Sequence, residues 1–340
     1  MSSNVLKLVA SVLGAKRADW LFETMDVDAA LLHDSKQVSR AEIAQAMNMV
    51  LFSDLLDRVP EGAAYVNDAR NIGRKIVFDH GALRTVVSEA GALPSGHLAF
   101  DRILKPLGFV VAGEYPLPRL KMLGRAYAHE DFAETISQFF VSELFVAEFS
   151  EDFQRVANNL MATAKDPLTS LSKQLLNELA ETKELAFEAA ELLLPNLVEC
   201  FGVHHDMVSR ADYDLLLNES AEMAWISTEG SAYNHVTDRV QDVFALSDEQ
   251  RAAGRSIKDK VEVSANGRVR QTAYKAAMVE RPMRDEGNAV VMHTVPGSFY
   301  EFITRDRFVD DNGVERLDLT FDSSNATGIF KMTDAGKKAA

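Results

Sequence analysis

The stretch FDHGALRTV, residues 78–86, decides how the rest of this chain is interpreted. Apolar and β-branched residues flank it on both sides, which is typical of a β-strand. Because side chains in a strand alternate between two faces, Phe78, His80, Ala82 and Arg84 are predicted to share one face. A neutral imidazole binds metal ions and a guanidinium grips carboxylates. The stretch therefore predicts a metal centre that receives an organic acid.

His80 and Arg84 also have ordinary structural explanations. A single histidine on a strand is most often a hydrogen-bonded core residue, and an arginine beside it is most often an ion-pair partner. The metal hypothesis therefore needs further ligands elsewhere in the chain.

Composition narrows the class of protein. Of the 340 residues, 47% are hydrophobic and 26% are charged, which is typical of a soluble globular protein. A net charge of -15 and the absence of a basic run argue against nucleic-acid binding. No apolar run is long enough to span a membrane, and no signal peptide is recognised. The single cysteine, Cys200, excludes an internal disulfide and suits a reducing compartment, so we expect a cytoplasmic protein.

Helical patterns and strand patterns alternate along the chain. Ser39 and Glu42 form a predicted capping box, Pro60 is predicted to end the helix that follows, and Asp166-Pro167 is predicted to start another. The predicted regions are N-terminal helices at 1–70, a first strand-rich module at 71–150, a helical connection at 151–228, a second strand-rich module at 229–330 and a flexible tail at 331–340.

The two strand-rich modules show a similar order of predicted elements. A strand with a histidine, then a helix and several strands, occurs from His80 to Glu143 and again from His235 to Glu301. In the second module, Asn266-Gly267 lies between two apolar alternations and predicts a two-residue hairpin.

His235 and Glu301 are the candidate second and third ligands. His235 lies on an alternating strand pattern, and Glu301 stands among aromatic residues, where an unpaired carboxylate is unfavourable. Two imidazoles and one carboxylate suit non-haem Fe(II), because they leave coordination positions open. The alternative cluster His204-His205-Asp206 is interpreted as surface residues, since adjacent histidines seldom converge on one ion.

Four segments resemble the 2-oxoadipate dioxygenase/decarboxylase family, within the vicinal oxygen chelate or glyoxalase-like superfamily. They are FDHGALRT at 78–85, FVSEL at 140–144, YNHVT at 233–237 and YEFITR at 300–305. The resemblance implies an α+β fold: a curved, partly closed β-sheet made of paired βαβββ modules, with an added helical subdomain. It also implies that the strand containing Ser142 and Glu143 occupies a fourth, vacant ligand position, with a structural ion pair as the favoured role of Glu143.

The resemblance further implies the site residues. His80, His235 and Glu301 are the implied ligands of Fe2+, with Zn2+, Ni2+ or another divalent ion as alternatives. Arg84 is the implied catalytic and substrate-binding residue. Ser323 and Ser324 are candidates for holding a second carboxylate, and an ordinary polar loop is an equal alternative.

The implied reaction uses a 2-oxo acid and dioxygen, most simply the conversion of 2-oxoadipate to 2-hydroxyglutarate with release of carbon dioxide. Phe78, Tyr233 and Phe299 are predicted either to exclude water from the site or to be plain core, and Arg239 and Arg305 are predicted to form surface ion pairs. A glyoxalase-type metal-dependent lyase or isomerase and a non-catalytic binding protein remain alternatives, and a homodimer is left open.

Overall fold

The computed structural model describes residues 3–322. The helices are α1 (Asn4–Leu13), α2 (Ala15–Thr24), α3 (Arg40–Arg58), α4 (Pro60–Asn71), α5 (Leu98–Leu104), α6 (Glu151–Met161), α7 (Ser170–Thr182), α8 (Phe187–Glu199), α9 (Arg210–Glu219), α10 (Ala221–Glu229) and α11 (Val243–Ala252). The strands are β1 (Gln37–Ser39), β2 (Phe78–Val87), β3 (Phe109–Leu117), β4 (Met122–His129), β5 (Gln138–Phe145), β6 (Glu184–Ala186), β7 (His235–Arg239), β8 (Glu262–Val263), β9 (Val269–Ala273), β10 (Met278–Arg284), β11 (Val290–Pro296), β12 (Phe299–Arg305), β13 (Arg307–Val309) and β14 (Glu315–Leu317).

A curved eight-stranded sheet of order β3-β4-β5-β2-β7-β12-β9-β8 forms the centre of the molecule. β2 and β7 pair antiparallel in its middle, and each has a parallel partner on its outer side, β5 for β2 and β12 for β7. Counted from the middle of the sheet outward, the first half has the order β2-β5-β4-β3 and the second half has the order β7-β12-β9-β8. In each half, the first strand along the chain is therefore followed by the fourth, the third and the second. This topology confirms the predicted α+β fold with paired βαβββ units, while the predicted region limits stay predictions.

Helices cover one face of the sheet. α3 is buried along most of its length, and the predicted Ser39–Glu42 capping box forms at its start. On this covered face, Phe52 of α3 packs against the rings of Phe78 and Tyr300 at 5.3 and 6.3 Å. The opposite face curves around the site described below, and we call it the uncovered face although α10 packs against one end of it.

One predicted helix boundary is confirmed and another differs from the structure. α3 ends at Arg58, just before Pro60 as predicted, and Pro60 then begins a further helix, because proline is well suited to a first helical turn that has no hydrogen-bond acceptor for its nitrogen. α7 begins at Ser170 with Thr169 as its cap, since the Asp166 carboxylate binds both terminal nitrogens of Arg102 instead.

A hairpin forms at Asn266-Gly267 as predicted, but its loop is longer than the predicted two residues, since the Gly267 N–H donates to the carbonyl oxygen of Ser264. β8 and β9 pair antiparallel on either side of it, and Gly267 has a φ of 75°, a backbone conformation that glycine adopts without strain. A second hairpin, β10–β11, forms a separate two-stranded sheet between the third and fourth strands of this half. Among residues 3–322, no helix combines the length and the apolar character that crossing a bilayer requires.

Candidate metal centre

Two histidines meet because β2 and β7 pair antiparallel. The register aligns Ala82 with His235 and His80 with Thr237, so both imidazoles project from the uncovered face of the sheet. Their ring centres lie 5.5 Å apart. Both side chains are buried, which removes them from competing water.

Glu301 completes the group from the neighbouring strand. β12 runs parallel to β7 and places Glu301 beside Thr237. The Glu301 Oε2 atom lies 3.3 Å from Nε2 of His80 and 3.6 Å from Nε2 of His235. The Thr237 hydroxyl donates a hydrogen bond to the same oxygen at 2.7 Å. One potential ligand atom from each of the three residues lies within 4.8 Å of the others, and we call His80, His235 and Glu301 the triad.

The donor set of the triad fits a divalent transition-metal ion. Glu301 Oε1 and His235 Nδ1 are buried and find no hydrogen-bond partner among residues 3–322. An unpartnered buried carboxylate oxygen is unfavourable, and a bound cation removes that penalty. Two imidazole nitrogens and one carboxylate oxygen leave further coordination positions for a substrate.

The protonation states of His235 and Glu301 also favour metal binding. Burial lowers the pKa of His235 to about 3, so this imidazole is neutral at pH 7. Burial acts to raise the pKa of Glu301, but the electrostatic and hydrogen-bonding contributions of His235 and His80 outweigh it and bring the pKa to about 2. Both groups therefore have lone pairs to offer without first losing a proton.

Asp79 is a site residue that the sequence analysis missed. Its Oδ1 atom lies 2.8 Å from Nδ1 of His80, a contact that keeps the proton on Nδ1 and leaves Nε2 facing Glu301. Neighbouring side chains of a regular strand point to opposite faces, but a β-bulge between Phe78 and His80 lets Asp79 reach the adjacent imidazole. The Asp-His pair in the sequence is a weak signal for this contact.

The prediction of surface ion pairs for Arg239 and Arg305 is wrong. The fully buried Arg305 guanidinium donates to both Asp79 oxygens at 2.9 to 3.0 Å, and Arg239 Nε donates to Asp79 Oδ2 at 2.7 Å. Burial acts to raise the pKa of Asp79, but the charges of these two arginines outweigh burial and hold the pKa well below its usual range. Asp79 therefore remains an ionised acceptor for His80.

Arg84 lies on the same face as His80, with the small side chain of Ala82 between them. The Arg84 side chain is buried and lines the same cavity as the triad. Burial lowers its pKa to about 10, against the opposing effect of the Glu222 carboxylate. The guanidinium is therefore still a cation at neutral pH and can bind an anion inside the cavity.

A cavity lies in front of the triad, and its empty space, counted together with the open solvent at its mouth, is about 530 Å³. Aromatic side chains of Tyr115, Phe140 and Phe321 line it, together with the polar side chains of Ser142 and Gln271. The Phe321 ring packs edge-on against His80, with ring centres 4.8 Å apart. An acid that reaches the triad is thus enclosed mainly by apolar surface.

Two of the three predicted water-excluding residues lie away from the site. The β-bulge turns Phe78 to the covered face of the sheet, where it joins Tyr233 in the main core. Those two residues are plain core, one of the two alternatives that the sequence left open. Phe299 does support the site, because its ring stacks on His235 with centres 4.7 Å apart.

β5, the strand that contains Ser142 and Glu143, lies at the fourth ligand position that the resemblance implied, but Glu143 does not face the triad. The side chain of Glu143 projects to the covered face, where it forms ion pairs with Arg125 and His97, as its favoured role predicted. In the first half, Phe140 of β5 pairs with Ala82, which lies two residues after His80. In the second half, Glu301 of β12 pairs with Thr237, which lies two residues after His235. Phe140 therefore occupies the position in the first half that Glu301 occupies in the second.

The other predicted site residues do not join the triad. Ser323 and Ser324, like the predicted flexible tail at 331–340, lie outside the described residues. His205 contacts the backbone carbonyl oxygens of Asp206 and Ile226 rather than a neighbouring ligand. Within residues 3–322, the triad is the one group of three or more histidine, cysteine or acidic side chains with metal-binding spacing.

Solved structures share this architecture. A glyoxalase-superfamily protein from Ralstonia eutropha JMP134 is 50% identical, with a TM-score of 0.90, over 95% of this chain and 99% of that one. Hydroxyglutarate synthase from Oryza sativa, solved in complex with 2-oxoadipate, is 18% identical with a TM-score of 0.65, over 88% of this chain and 95% of that one. The enzyme of the same name from Pseudomonas putida, also with 2-oxoadipate, is 18% identical with a TM-score of 0.58, over 90% of this chain and 76% of that one.

The last two structures share the fold of this chain, as their TM-scores show, but at 18% identity they show nothing beyond the fold. A comparison with curated protein sequences finds no significant match. A family model described as 2-oxoadipate dioxygenase/decarboxylase matches residues 37–336. This match spans most of the chain and includes all three triad residues as well as Asp79 and Arg84. The chain therefore belongs to the 2-oxoadipate dioxygenase/decarboxylase family.

Proposed function

We propose that this protein is an Fe2+-dependent enzyme that converts a 2-oxo acid and dioxygen into carbon dioxide and a hydroxy acid one carbon shorter. With 2-oxoadipate as substrate, the product is 2-hydroxyglutarate, and both oxygen atoms of dioxygen are accounted for in the two products. The observation that supports this most directly is the buried triad facing one end of an enclosed cavity that Arg84 also lines. Family membership supports the same choice of reaction.

His80, His235 and Glu301 would hold the metal ion. When bound, Fe2+ supplies the redox chemistry with dioxygen that amino-acid side chains lack. Asp79 keeps the proton of His80 on Nδ1 and so directs Nε2 toward the ion position. The Thr237 hydroxyl orients the Glu301 carboxylate by donating to its Oε2.

Arg84 would bind a carboxylate of the acid and orient the substrate. A buried guanidinium binds a carboxylate through two parallel hydrogen bonds, which fix both position and angle. The aromatic surfaces of Tyr115, Phe140 and Phe321 would exclude water from the reacting end of the acid. Ser323 and Ser324 stay candidates for a second carboxylate contact on sequence grounds alone.

The test begins with anaerobic protein from which metal has been removed. The protein is loaded with Fe2+, mixed with 2-oxo diacids of five to seven carbons, and exposed to a measured amount of oxygen. We expect oxygen uptake, carbon dioxide and hydroxy acid in a 1:1:1 ratio, with 2-oxoadipate the best substrate. Protein loaded with Zn2+ or Ni2+ is the control and should consume no oxygen.

Other outcomes separate the rival functions. Product formation without oxygen uptake, with any of the three ions, would identify a glyoxalase-type lyase or isomerase. Saturable binding of the acid with no product under any condition, and with affinity unchanged in His80→Ala, would identify a non-catalytic binding protein.

A further inference from the structure

We infer that Trp225 is a positioning residue for the substrate-binding guanidinium: its indole ring holds Arg84 in the plane needed to receive the carboxylate remote from the metal ion. This inference rests on the function proposed above. It adds Trp225, a residue of helix α10, to the residues that determine substrate binding. It concerns how tightly and how selectively a diacid binds, not whether the reaction occurs.

The spacing along β2 assigns Arg84 to the remote end of the substrate. His80 and Arg84 are four residues apart on one strand, which separates their Cα atoms by about 13 Å at the usual rise per residue. The triad occupies the His80 end of the cavity. A guanidinium so far along the strand is suited to the second carboxylate of a diacid, rather than to the group next to the metal ion.

Trp225 is fixed where it can support that guanidinium. The Arg84 Cζ atom lies over the indole ring, 5.0 Å from its centre. The ring is buried, and its Nε1 donates a hydrogen bond to the carbonyl oxygen of Gly297 at 3.1 Å. Gly297 lies two residues before the start of β12, the strand that carries Glu301. The ring that supports Arg84 is therefore tied to the strand that supports the triad.

The type of contact suits a binding role. An aromatic ring attracts the face of a guanidinium, whereas the N–H donors of the guanidinium point outward in its plane. Stacking therefore restrains the plane of Arg84 without using the donors that a carboxylate needs. A side chain with the long, flexible stem of arginine would otherwise lose more freedom each time a substrate binds.

Helix α10 also supplies an opposing charge that acts on Arg84. Glu222 lies one turn before Trp225 and is buried, with its Oε2 accepting a hydrogen bond from Ser220 at 3.0 Å. Its carboxylate favours the charged form of Arg84 inside the protein. One helix thus provides both the surface against which the guanidinium lies and a negative charge that helps to keep it ionised.

The experiment compares two six-carbon acids that differ at the remote end, 2-oxoadipate and 2-oxohexanoate, on Fe2+-loaded enzyme. Trp225→Met fills much of the ring's volume but has no aromatic face. We expect the KM for 2-oxoadipate to rise about 10-fold, with kcat changed less than about twofold. The kcat/KM for 2-oxohexanoate should stay within about twofold of wild type. Trp225→Phe retains a ring face and should raise the KM for 2-oxoadipate only about threefold.

A double-mutant cycle checks that the effect passes through Arg84. An ammonium group has no plane to orient, so adding Trp225→Met to an Arg84→Lys enzyme should raise the KM for 2-oxoadipate less than about twofold. The inference is overturned if the full 10-fold effect persists in the Arg84→Lys background, or if both acids lose kcat/KM equally.

A failure of the proposed function can be told apart from a failure of this inference. If wild-type enzyme turns over neither acid, the proposed function fails, and equilibrium binding of 2-oxoadipate by calorimetry replaces the kinetic measurement. Trp225→Met should then weaken that binding about 10-fold, and unchanged affinity would overturn the inference. If Trp225→Met does not fold, the Trp225→Phe variant provides the same comparison at its smaller expected size.

Discussion

The two halves of the sheet have the same strand order and differ at the positions that face the cavity. In the second half, β12 brings Glu301 beside the strand that carries His235, whereas in the first half β5 places Phe140 at the corresponding point. The fold therefore offers four similar positions around one centre, and the residue type at each decides which of them bind an ion. The open side of the triad follows from an aromatic ring in the fourth position.

The residues that precede the two histidines differ as well. Asp79 lies 2.8 Å from Nδ1 of His80, while Asn234 precedes His235, whose Nδ1 has no hydrogen-bond partner within the part of the chain described. Burial lowers the pKa of His235, whereas for His80 the hydrogen bonds to Asp79 and Glu301 outweigh burial and raise it. One imidazole is thus held by a charged neighbour, and the other chiefly by stacking on Phe299.

The largest expected effect is the loss of the one carboxylate ligand. Glu301→Gln keeps the size of the side chain but removes its charge. We expect metal affinity to fall by more than the roughly 100-fold typical of losing an outer hydrogen-bond partner. Metal content after dialysis against a competing chelator measures this. Glu143→Gln, on the covered face of the other half, is the matched control and should retain its metal. Full metal content in Glu301→Gln would contradict the assignment of the triad.

A smaller loss is expected from the residue that holds His80. Asp79→Asn should weaken metal binding about 10- to 100-fold, because an amide orients the imidazole less strongly than a carboxylate does. It should also lower the melting temperature, since two arginines lose their buried counter-charge. Asn234→Ala removes the side chain at the corresponding position in the other half and should alter metal affinity less than about threefold. Equal effects of the two substitutions on metal affinity would contradict the inference that His80 and His235 are held in different ways.

A carboxylate can also be restored to the fourth position. Phe140→Glu should tighten metal binding about 10-fold and lower turnover at least about 10-fold, because a fourth protein ligand occupies a coordination position that substrate needs. Phe140→Gln controls for the loss of the ring and should not tighten metal binding. Unchanged metal affinity in Phe140→Glu would show that the two halves are less equivalent than their register indicates.

The smallest effect concerns stability and compares the helices that follow β2 and β7. Arg102 of α5 binds Asp166 through two hydrogen bonds of 2.8 Å, whereas Arg251 of α11 pairs with Asp248 on the exposed surface. Asp166→Asn should lower the free energy of unfolding at pH 7 by about 1 kcal/mol, and Asp248→Asn should have no measurable effect. Urea denaturation measures both.

The pH dependence of that contribution has a definite sign. Burial acts to raise the pKa of Asp166, but hydrogen bonds from Arg102 and Lys173 outweigh it and lower the pKa to about 2. Between pH 4 and pH 2 the unfolded chain therefore takes up a proton before the folded chain does. The stabilisation is complete above about pH 4 and is lost as the pH falls toward 2, so wild type and Asp166→Asn should converge there. A difference that stays constant down to pH 2 would contradict this assignment.

The sequence predicted the fold class and the identity of the clustered ligands better than it predicted their surroundings. Alternation and turn residues located β2, β7 and the Asn266-Gly267 hairpin, but no spacing rule joins His80 to residues more than 150 positions away. The resemblance to a family supplied that link, and the structure brings the three side chains together.

The errors have specific physical causes. A single extra residue in β2 inverted the expected face of Phe78, because a bulge shifts the alternation that the prediction assumed. Arg305 was assigned to the surface because isolated arginines usually lie there, and nothing in its own neighbourhood shows that Asp79 approaches from a distant strand. Contacts between buried charges are set by tertiary structure, which local patterns do not encode.

The segment after β14 has a consequence for biosynthesis. Arg305 donates to the carbonyl oxygens of Asp318 and Thr320, and the Phe321 that follows rests on His80. The lining of the cavity is therefore incomplete until Phe321 has been synthesised. Ions that meet the growing polypeptide earlier would encounter imidazoles still open to water, so selective loading of the centre requires that residues 318–321 have already been synthesised and folded into place.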